Sequence, residues 1–273
     1  MFKVRKPAVA GYFYPSDPDE LKSVIESLLT NSEPPIKAKN IFGIVSPHAG
    51  YLYSGKTAAY AYNLIKGKNI ETVVIISPSH GEYFPGISIF DGDAYETPLG
   101  TIQLNKIMTE KLTGTGKLIF KGILGHKTEH AIEILLPFLQ VVLKEFEIVP
   151  VVMGDQGKRF ISELSSILAE VIDDKTLIVA SSDLSHYYSK SKAHELDSIV
   201  ERRINNFEYE KLRDDLEKGN CEACGGGPIV AMMQSASMLN KKKAVVLHRS
   251  DSGDISGDNT KVVGYLSAAI YGD

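Results

Sequence analysis

Histidines and an aspartate follow three apolar runs of this sequence, each at a point where the run ends in serine. His48 follows "IFGIVSP", His80 follows "VVIISPS", and Asp183 and His186 follow "LIVASS". Two histidines with a carboxylate or a thiolate are a common ligand set for a transition metal. The alternative for any single histidine of this kind is a helix cap or a surface residue. The recurrence of the pattern at three places favours a shared site.

Two cysteines lie in "CEACGGGP", residues 221–228. A C-x-x-C pair can be a redox motif or half of a zinc site, but neither a second cysteine pair nor a thioredoxin-type strand accompanies this one. Cys224 precedes three glycines and Pro228, which suits the first position of a helix. A thiol at a helix N-terminus has a lowered pKa and is a good ligand or nucleophile, so we expect Cys224 to be the more acidic thiol. The alternative is a small buried residue beside a turn.

A third group of titratable residues lies in "HKTEHAIE". His130 and Glu133 are one helical turn apart and could face the same edge of the fold, whereas His126 is predicted to lie in the loop before the helix. Capping and packing at the helix start is an equally good interpretation of His130 and Glu133. The sequence leaves both interpretations open.

Apolar periodicity predicts the elements that would position these residues. Strands are predicted at 41–45, 72–77, 147–154 and 176–182, and helices at 16–30, 54–67, 128–146, 157–174 and 226–240, with a polar helical region at 190–218. Asp17 is predicted to cap the first helix and Pro18 to occupy its first position. Pro137 is predicted to kink the helix at 128–146. The stretch 84–104 has short β runs and turn signals, which indicates an antiparallel excursion.

Alternating strands and helices predict an α/β fold with a mixed, largely parallel central sheet flanked by helices. No linker divides residues 1–273, so we expect a single domain. In open α/β sheets, sites gather at the carboxyl ends of the strands. His48, His80, Asp183 and His186 would therefore share one edge although they are far apart in sequence.

Composition narrows the class of protein. The chain has 273 residues, 43% hydrophobic and 23% charged, with a net charge of −4 and no long basic block, which argues against nucleic acid as a partner. Neither a signal peptide nor an apolar run long enough to span a membrane is evident, so we expect a cytoplasmic protein.

Seven motifs together resemble the Memo family, whose prokaryotic members are also called AmmeMemoRadiSam system protein B. They are "RKPAVAGYFYPSDPDEL", "SPHAGYLYSG", "SPSHG", "TPLG", "EHAIEILLPFL", "SSDLSHY" and "CGGGPI". The resemblance implies a fold similar to the class III extradiol dioxygenases of the LigB type, which use non-haem Fe(II). It also implies functional association with a radical-SAM protein.

Matched motif by motif, the resemblance implies metal ligands at His48, His80 and Cys224. It places Asp183 and His186 beside that pocket. The family has a thiolate where the dioxygenases place a carboxylate, and its pattern gives no role to Cys221.

The leading functional hypothesis is a metal-dependent redox protein that binds Fe(II), or alternatively copper or zinc. Asp183 and His186 would orient a water molecule, O₂ or an acidic substrate group, and His130 is a further candidate for proton transfer. Two alternatives are a non-catalytic protein that binds a small molecule or peptide in the same pocket, and a metal-assisted hydrolase. The sequence leaves open whether the protein is an enzyme and what its substrate is.

Overall fold

The computed structural model describes residues 3–114 and 116–272. Its strands are β1 (Val4–Arg5), β2 (Ile41–Ser46), β3 (Thr72–Pro78), β4 (Ile87–Phe90), β5 (Ala94–Thr97), β6 (Gly100–Gln103), β7 (Ile119–Gly122), β8 (Glu147–Met153), β9 (Thr176–Ser181), β10 (His186–Tyr188), β11 (Lys243–Asp251) and β12 (Val262–Tyr271). Its α-helices are α1 (Pro18–Thr30), α2 (Tyr51–Ile65), α3 (Lys106–Gly114), α4 (Leu136–Val142), α5 (Lys158–Val171), α6 (Lys190–Asn205), α7 (Tyr209–Glu217), α8 (Gly226–Met238) and α9 (Gly253–Ser256).

The main sheet of the described chain has nine strands and is mixed, as predicted. Its order is β10-β12-β2-β9-β3-β8-β4-β7, and β11 pairs with β12. The four central strands β2, β9, β3 and β8 are parallel. Antiparallel pairing begins on both sides of this centre, at β12 against β2 and at β4 against β8. The parallel centre matters for the site because its strands all end at the same edge.

Helices cover both faces of the sheet because the central strands are apolar on both faces. Alternate residues of β3 point to opposite sides: Val73 and Ile75 pack with α1, α2 and α4, whereas Val74 and Ile76 pack with α5 and α8. A strand buried on both faces reads as a continuous apolar run, which is the pattern that predicted these strands. The two apolar cores hold the strand ends rigidly.

The predicted excursion at 84–104 divides between two sheets. β5 and β6 form an antiparallel hairpin, which pairs through β5 with the short strand β1 in a separate three-stranded sheet. β4 instead extends the main sheet, antiparallel to β8 and parallel to β7. The antiparallel hairpin is confirmed, but the sequence did not indicate that β4 belongs to the central sheet.

Several helix predictions differ from the structure. The helix predicted at 128–146 is only a 3-10 turn at Glu133–Leu135 followed by α4. Pro137 lies in the first turn of α4, where its missing N–H is tolerated, so the predicted kink is wrong. α2 begins at Tyr51, three residues before its predicted start, and α3 and β7 were not predicted. α1 begins as expected, because the Asp17 side chain accepts hydrogen bonds from the backbone N–H groups of Asp19 and Glu20.

None of the described helices combines the length and the apolar character needed to cross a membrane.

Candidate metal centre

The sequence-predicted residues meet at the carboxyl edge of the parallel strands. β2 ends at Ser46, and His48 follows two residues later; β3 ends at Pro78, and His80 follows at the same distance. Ser46 is in register with Ser181, the last residue of β9, and Asp183 lies two residues beyond that strand end. Each side chain thus leaves a rigid strand at the same level of the sheet. This is the reason that residues far apart in sequence share one site.

Three donor groups converge at this edge. One nitrogen of His48, one nitrogen of His80 and Sγ of Cys224 all lie within 4.8 Å of one another. Nε2 of His48 is 3.3 Å from Sγ of Cys224, and the ring centroids of the two histidines are 5.1 Å apart. Imidazole nitrogen and thiolate sulfur are ligands for zinc, copper and iron, whereas Mg²⁺ and Ca²⁺ prefer oxygen. The donor set therefore fits a transition-metal ion.

The His48 ring is held by a neutral hydroxyl. Nδ1 of His48 is 2.8 Å from Oγ of Ser181, and that hydroxyl donates its own proton to the carbonyl oxygen of Ala131 at 2.6 Å. Since the hydroxyl proton is engaged, Nδ1 of His48 must donate, and Nε2 keeps its lone pair toward Cys224. Burial, followed by the neighbouring imidazoles of His80 and His130, holds the pKa of His48 well below its usual value. The ring is therefore neutral, as a metal ligand must be.

The His80 ring is held by a carboxylate. Nδ1 of His80 donates to Oε1 of Glu129 at 2.9 Å, and the backbone N–H of His80 donates to Oε2 at 2.7 Å. Burial is the largest single influence and favours the neutral form of both groups, but their hydrogen bond and the attraction of their charges together outweigh it, so the pKa of His80 is raised and that of Glu129 is lowered. With Nδ1 engaged, Nε2 of His80 is the nitrogen left for a ligand. A carboxylate behind a ligating imidazole is a recurrent feature of protein metal sites.

The third donor depends on a glycine. Cys224 lies just before α8, its backbone N–H donates to the carbonyl of Asp183, and Gly225 follows directly. A Cβ at Gly225 would lie 2.0 Å from the carbonyl oxygen of Ser181, so only glycine lets this segment pack against the end of β9. That close approach brings Sγ of Cys224 to the histidines.

The lowered pKa that the helix N-terminus predicted for the Cys224 thiol is wrong for the metal-free protein. Burial, followed by the nearby Asp183 carboxylate, raises the pKa of Cys224 well above its ordinary value. Burial also raises the pKa of Cys221, to about 12. The helix N-terminus does not compensate for removal from water. A bound cation would supply that missing charge, because thiolates are stabilised by metal ions.

Asp183 lies against His48, and His186 lies beside the cluster. Oδ2 of Asp183 is 3.9 Å from Nε2 of His48, and Oδ1 accepts from the backbone N–H of His48 at 2.8 Å. Burial raises the pKa of the Asp183 carboxyl to about 7. Nδ1 of His186 is 2.8 Å from the carbonyl oxygen of Leu184, so it donates and leaves Nε2 free to accept. Both side chains can therefore exchange or hold a proton next to the donor cluster.

His130, from the segment before α4, also joins the cluster, but Glu133 does not. The His130 ring stacks on the ring of His80 with centroids 4.9 Å apart, and its Nδ1 is 3.4 Å from Oε1 of Glu129. His80, Glu129 and His130 form a second group of mutually close donors. Glu133 is completely buried and instead binds the N-terminal segment, so the packing interpretation of this residue is the correct one. His126 lies in the preceding loop, as predicted.

A cleft of about 470 Å³ adjoins the cluster. Its lining includes Cys224 and His186 together with apolar side chains of α5, α7 and α8 and the buried Cys221. His48 and His80 are not among the described residues that line this cleft, so it meets the donor cluster only on the Cys224 side. This volume suits a small molecule.

Sequence reasoning missed the residues that orient the two histidines. Glu129 and Ser181 are both buried and each holds an imidazole Nδ1. Ser181 lies inside the strand predicted at 176–182 and is in register with Ser46 at the end of β9, and Glu129 immediately precedes His130. The available signal was that each residue lies close in sequence to a candidate site residue. That signal does not show which of the adjacent side chains points into the site.

Fold and site together define a mixed α/β protein with a His₂Cys cluster at the carboxyl edge of its sheet. Residues 5–269 match the sequence family described as Memo-like protein. A MEMO1 family protein of Methanosarcina mazei is 37% identical over 272 residues, 98% of this chain and 99% of the relative. The MEMO1 family protein of Thermoplasma volcanium is 38% identical over 266 residues, 97% of each chain. That of Methanocaldococcus jannaschii is 35% identical over 288 residues, 99% of this chain and 100% of the relative.

The chain therefore belongs to the Memo family, as the motifs predicted. The implied likeness to the extradiol dioxygenases stays a prediction.

Proposed function

We propose that this protein binds one transition-metal ion, in the first instance iron, through His48, His80 and Cys224, and performs redox chemistry related to that of the dioxygenases on a small substrate. The observation that supports the proposal is the convergence of three donor atoms within 4.8 Å. Each imidazole has its Nδ1 engaged by the protein, so each ring has Nε2 left for a ligand. Copper and zinc fit the same donor atoms, and the metal analysis described below distinguishes them from iron.

A bound iron ion would supply a Lewis acid and a redox centre. The protein would supply the surrounding acid and base groups. The Asp183 carboxyl, with its raised pKa, can hold a proton near neutral pH, and Nε2 of His186 can accept one. Together they would orient a water molecule, O₂ or an acidic substrate group. His130, stacked on His80, is the further candidate for proton transfer.

The substrate would approach through the cleft beside Cys224. Its walls are mostly apolar, with Leu184, Leu216 and Val230 on the sides and Arg213 among the polar groups. Such a lining suits an organic molecule of modest size or a side chain of a peptide. We further propose a cytoplasmic location, where two free cysteines remain reduced, and a functional partner of the radical-SAM class.

Anaerobic purification followed by metal analysis tests the proposal. We expect about one iron per chain and reaction of the reduced protein with O₂. Zinc in its place would favour a hydrolase that uses an activated water molecule, and absence of any bound metal after reconstitution attempts would favour a non-catalytic binding protein. Either of those results would contradict the proposed redox function.

A further inference from the structure

A buried arginine outside the donor cluster binds the loop that carries Glu129. Arg5 is on β1 at the N-terminal end of the chain, and its side chain is only 4% exposed. Its guanidinium contacts three points of the segment between β7 and α4. Nε donates to the carbonyl of His126 at 3.2 Å, Nη2 donates to the carbonyl of Glu129, and Nη1 pairs with the carboxylate of Glu133.

Side chains hold much of the backbone of this segment: besides Arg5, Glu82 accepts from the N–H of Gly125 and Ser181 donates to the carbonyl of Ala131. Residues 123–132 belong to no helix or strand, yet Glu129 must point at His80 from within them. Arg5 binds the backbone at the beginning of this segment and again at Glu129 itself. The planar guanidinium presents its donors in a fixed fork, so it fixes the distance between these two carbonyl groups. A lysine has one donor centre and cannot bind all three points in that geometry.

Glu133 completes the anchor without touching the donor cluster. Its carboxylate accepts hydrogen bonds from the backbone N–H groups of Ala8 and Val9 at 2.7 and 2.9 Å and from the hydroxyl of Tyr14 at 2.7 Å, besides its pair with Arg5. Arg5 and Glu133 therefore form a buried ion pair in which each charge neutralises the other. Arg5 binds the carbonyl groups of His126 and Glu129 in addition to this ion pair.

We propose that Arg5 is a positioning residue of the metal centre, which fixes the backbone of Glu129 so that its carboxylate orients Nε2 of His80. This inference rests on the proposed function, since it assigns a role toward the same metal ion. Arg5 touches neither the donor atoms nor the cleft lining. We therefore expect its effect to pass mainly through Glu129 and His80, with a smaller effect on His48 through Ala131, whose carbonyl accepts from Ser181.

The test uses Co²⁺ as the probe metal with the full chain, in the wild type and in Arg5→Lys. Cobalt reports its ligands by absorption: a thiolate charge-transfer band reports Cys224, and the ligand-field bands report the number and arrangement of the other donors. In Arg5→Lys we expect roughly 10-fold weaker Co²⁺ binding, the size typical when a group behind a ligand is lost. The thiolate band should persist and the ligand-field bands should change. Lys6→Met, which removes an adjacent exposed ion pair with Glu96, is the matched control and should bind cobalt as the wild type does.

A second variant separates positioning from folding. Arg5→Met with Glu133→Gln removes both buried charges together, so no uncompensated charge remains. If Arg5 matters only for charge balance and packing, this folded double variant should bind Co²⁺ like the wild type, which would overturn the proposal. We expect it instead to show the same weakened binding and altered ligand-field bands as Arg5→Lys.

A third comparison asks whether the effect passes through Glu129. In a Glu129→Gln background, Arg5→Lys should weaken cobalt binding by less than about threefold, because groups that act through one another are not additive. Full additivity would overturn the proposal. A wild-type protein that binds Co²⁺ without a thiolate band would instead overturn the metal centre itself. The two failures are therefore distinguishable.

Discussion

The candidate metal centre has a His48 side and a His80 side, each made of one histidine and the groups around its ring. The backbone places the two histidines in the same way, but the partners of the two rings differ. His48 and His80 each follow a central parallel strand by two residues. His48 is only 2% exposed and its Nδ1 is held by the neutral hydroxyl of Ser181, whereas the His80 side chain is 35% exposed and its Nδ1 is held by the carboxylate of Glu129.

The partner of each ring matches the exposure of that ring to water. On the buried side a second negative charge would be costly to desolvate, and Asp183 is already present there. On the half-exposed side, water competes for the ring, and a charged partner holds the imidazole more firmly than a hydroxyl does. We therefore expect the His80 side to depend on its partner more strongly than the His48 side.

The largest effect should come from the donor that both sides share. Replacing Cys224 by serine should weaken binding of Fe²⁺ or Co²⁺ by more than about 100-fold, because a hydroxyl is a much poorer ligand for these ions than a thiolate. Metal content after dialysis is the readout. Cys221→Ser, which removes the neighbouring buried thiol, should change metal content little. Equal losses in the two variants would mean that a C-x-x-C pair binds the metal, and the two-histidine comparison would lose its basis.

The next effect tests the charged partner. Glu129→Gln keeps an oxygen that can accept from His80 but removes the charge, and we expect a 10- to 100-fold loss of metal affinity. Titration with Co²⁺ against a competing chelator measures it. Gln140→Glu, on α4 where Gln140 contacts the β5–β6 hairpin, adds a charge outside the donor cluster as a control, and metal affinity should stay as in the wild type. Wild-type affinity in Glu129→Gln would show that the carboxylate does not tune the site.

A third prediction concerns the loop on the His48 side. Oδ1 of the buried Asp197 accepts from the backbone N–H of Ser185, and burial raises the pKa of Asp197 to about 6. The native state thus keeps a proton that the unfolded chain has lost, so this group's contribution to stability is present below about pH 4 and is lost as pH rises through 6. Asp197→Asn should therefore raise the free energy of unfolding at pH 8 by roughly 1–2 kcal/mol relative to its effect at pH 4.

Urea unfolding at the two pH values measures this difference, and metal affinity should stay as in the wild type. A variant equally destabilised at both pH values would show that the pKa of Asp197 is the same in the native and unfolded states, and that burial on the His48 side does not disfavour a carboxylate.

The smallest effect should come from the hydroxyl partner. Ser181→Ala removes a neutral hydrogen bond to His48, which is worth about 1 kcal/mol, so metal affinity should fall about fivefold. The same Co²⁺ titration gives the number. A loss larger than that of Glu129→Gln would reverse the comparison between the two sides and would identify the buried histidine as the more dependent ligand.

Much of this arrangement was predictable from local pattern. Continuous apolar runs identified the four central strands, because a strand buried on both faces needs apolar side chains on both. The position of a histidine just after a run then indicated the carboxyl edge. The motifs that identified the family also singled out Cys224, which lies within 4.8 Å of the two histidines.

Other features did not follow from the sequence because they depend on contacts between distant segments. The helix predicted at 128–146 was too long, since the apolar spacing continues through a segment whose backbone is bound by Arg5 rather than by helical hydrogen bonds. The acidity of Cys224 was predicted from a helix N-terminus, but burial decides the pKa of that thiol.

The sequence by itself determined the parallel strands, the edge at which they deliver their side chains, and the family. These follow from side-chain polarity and spacing, which are local properties. Only the tertiary structure decided which groups stand behind the ligands: Ser181 for one histidine, Glu129 for the other, and Arg5 behind Glu129. Those contacts join residues 49 to 133 positions apart, and no local pattern encodes which of two distant polar side chains will be buried together.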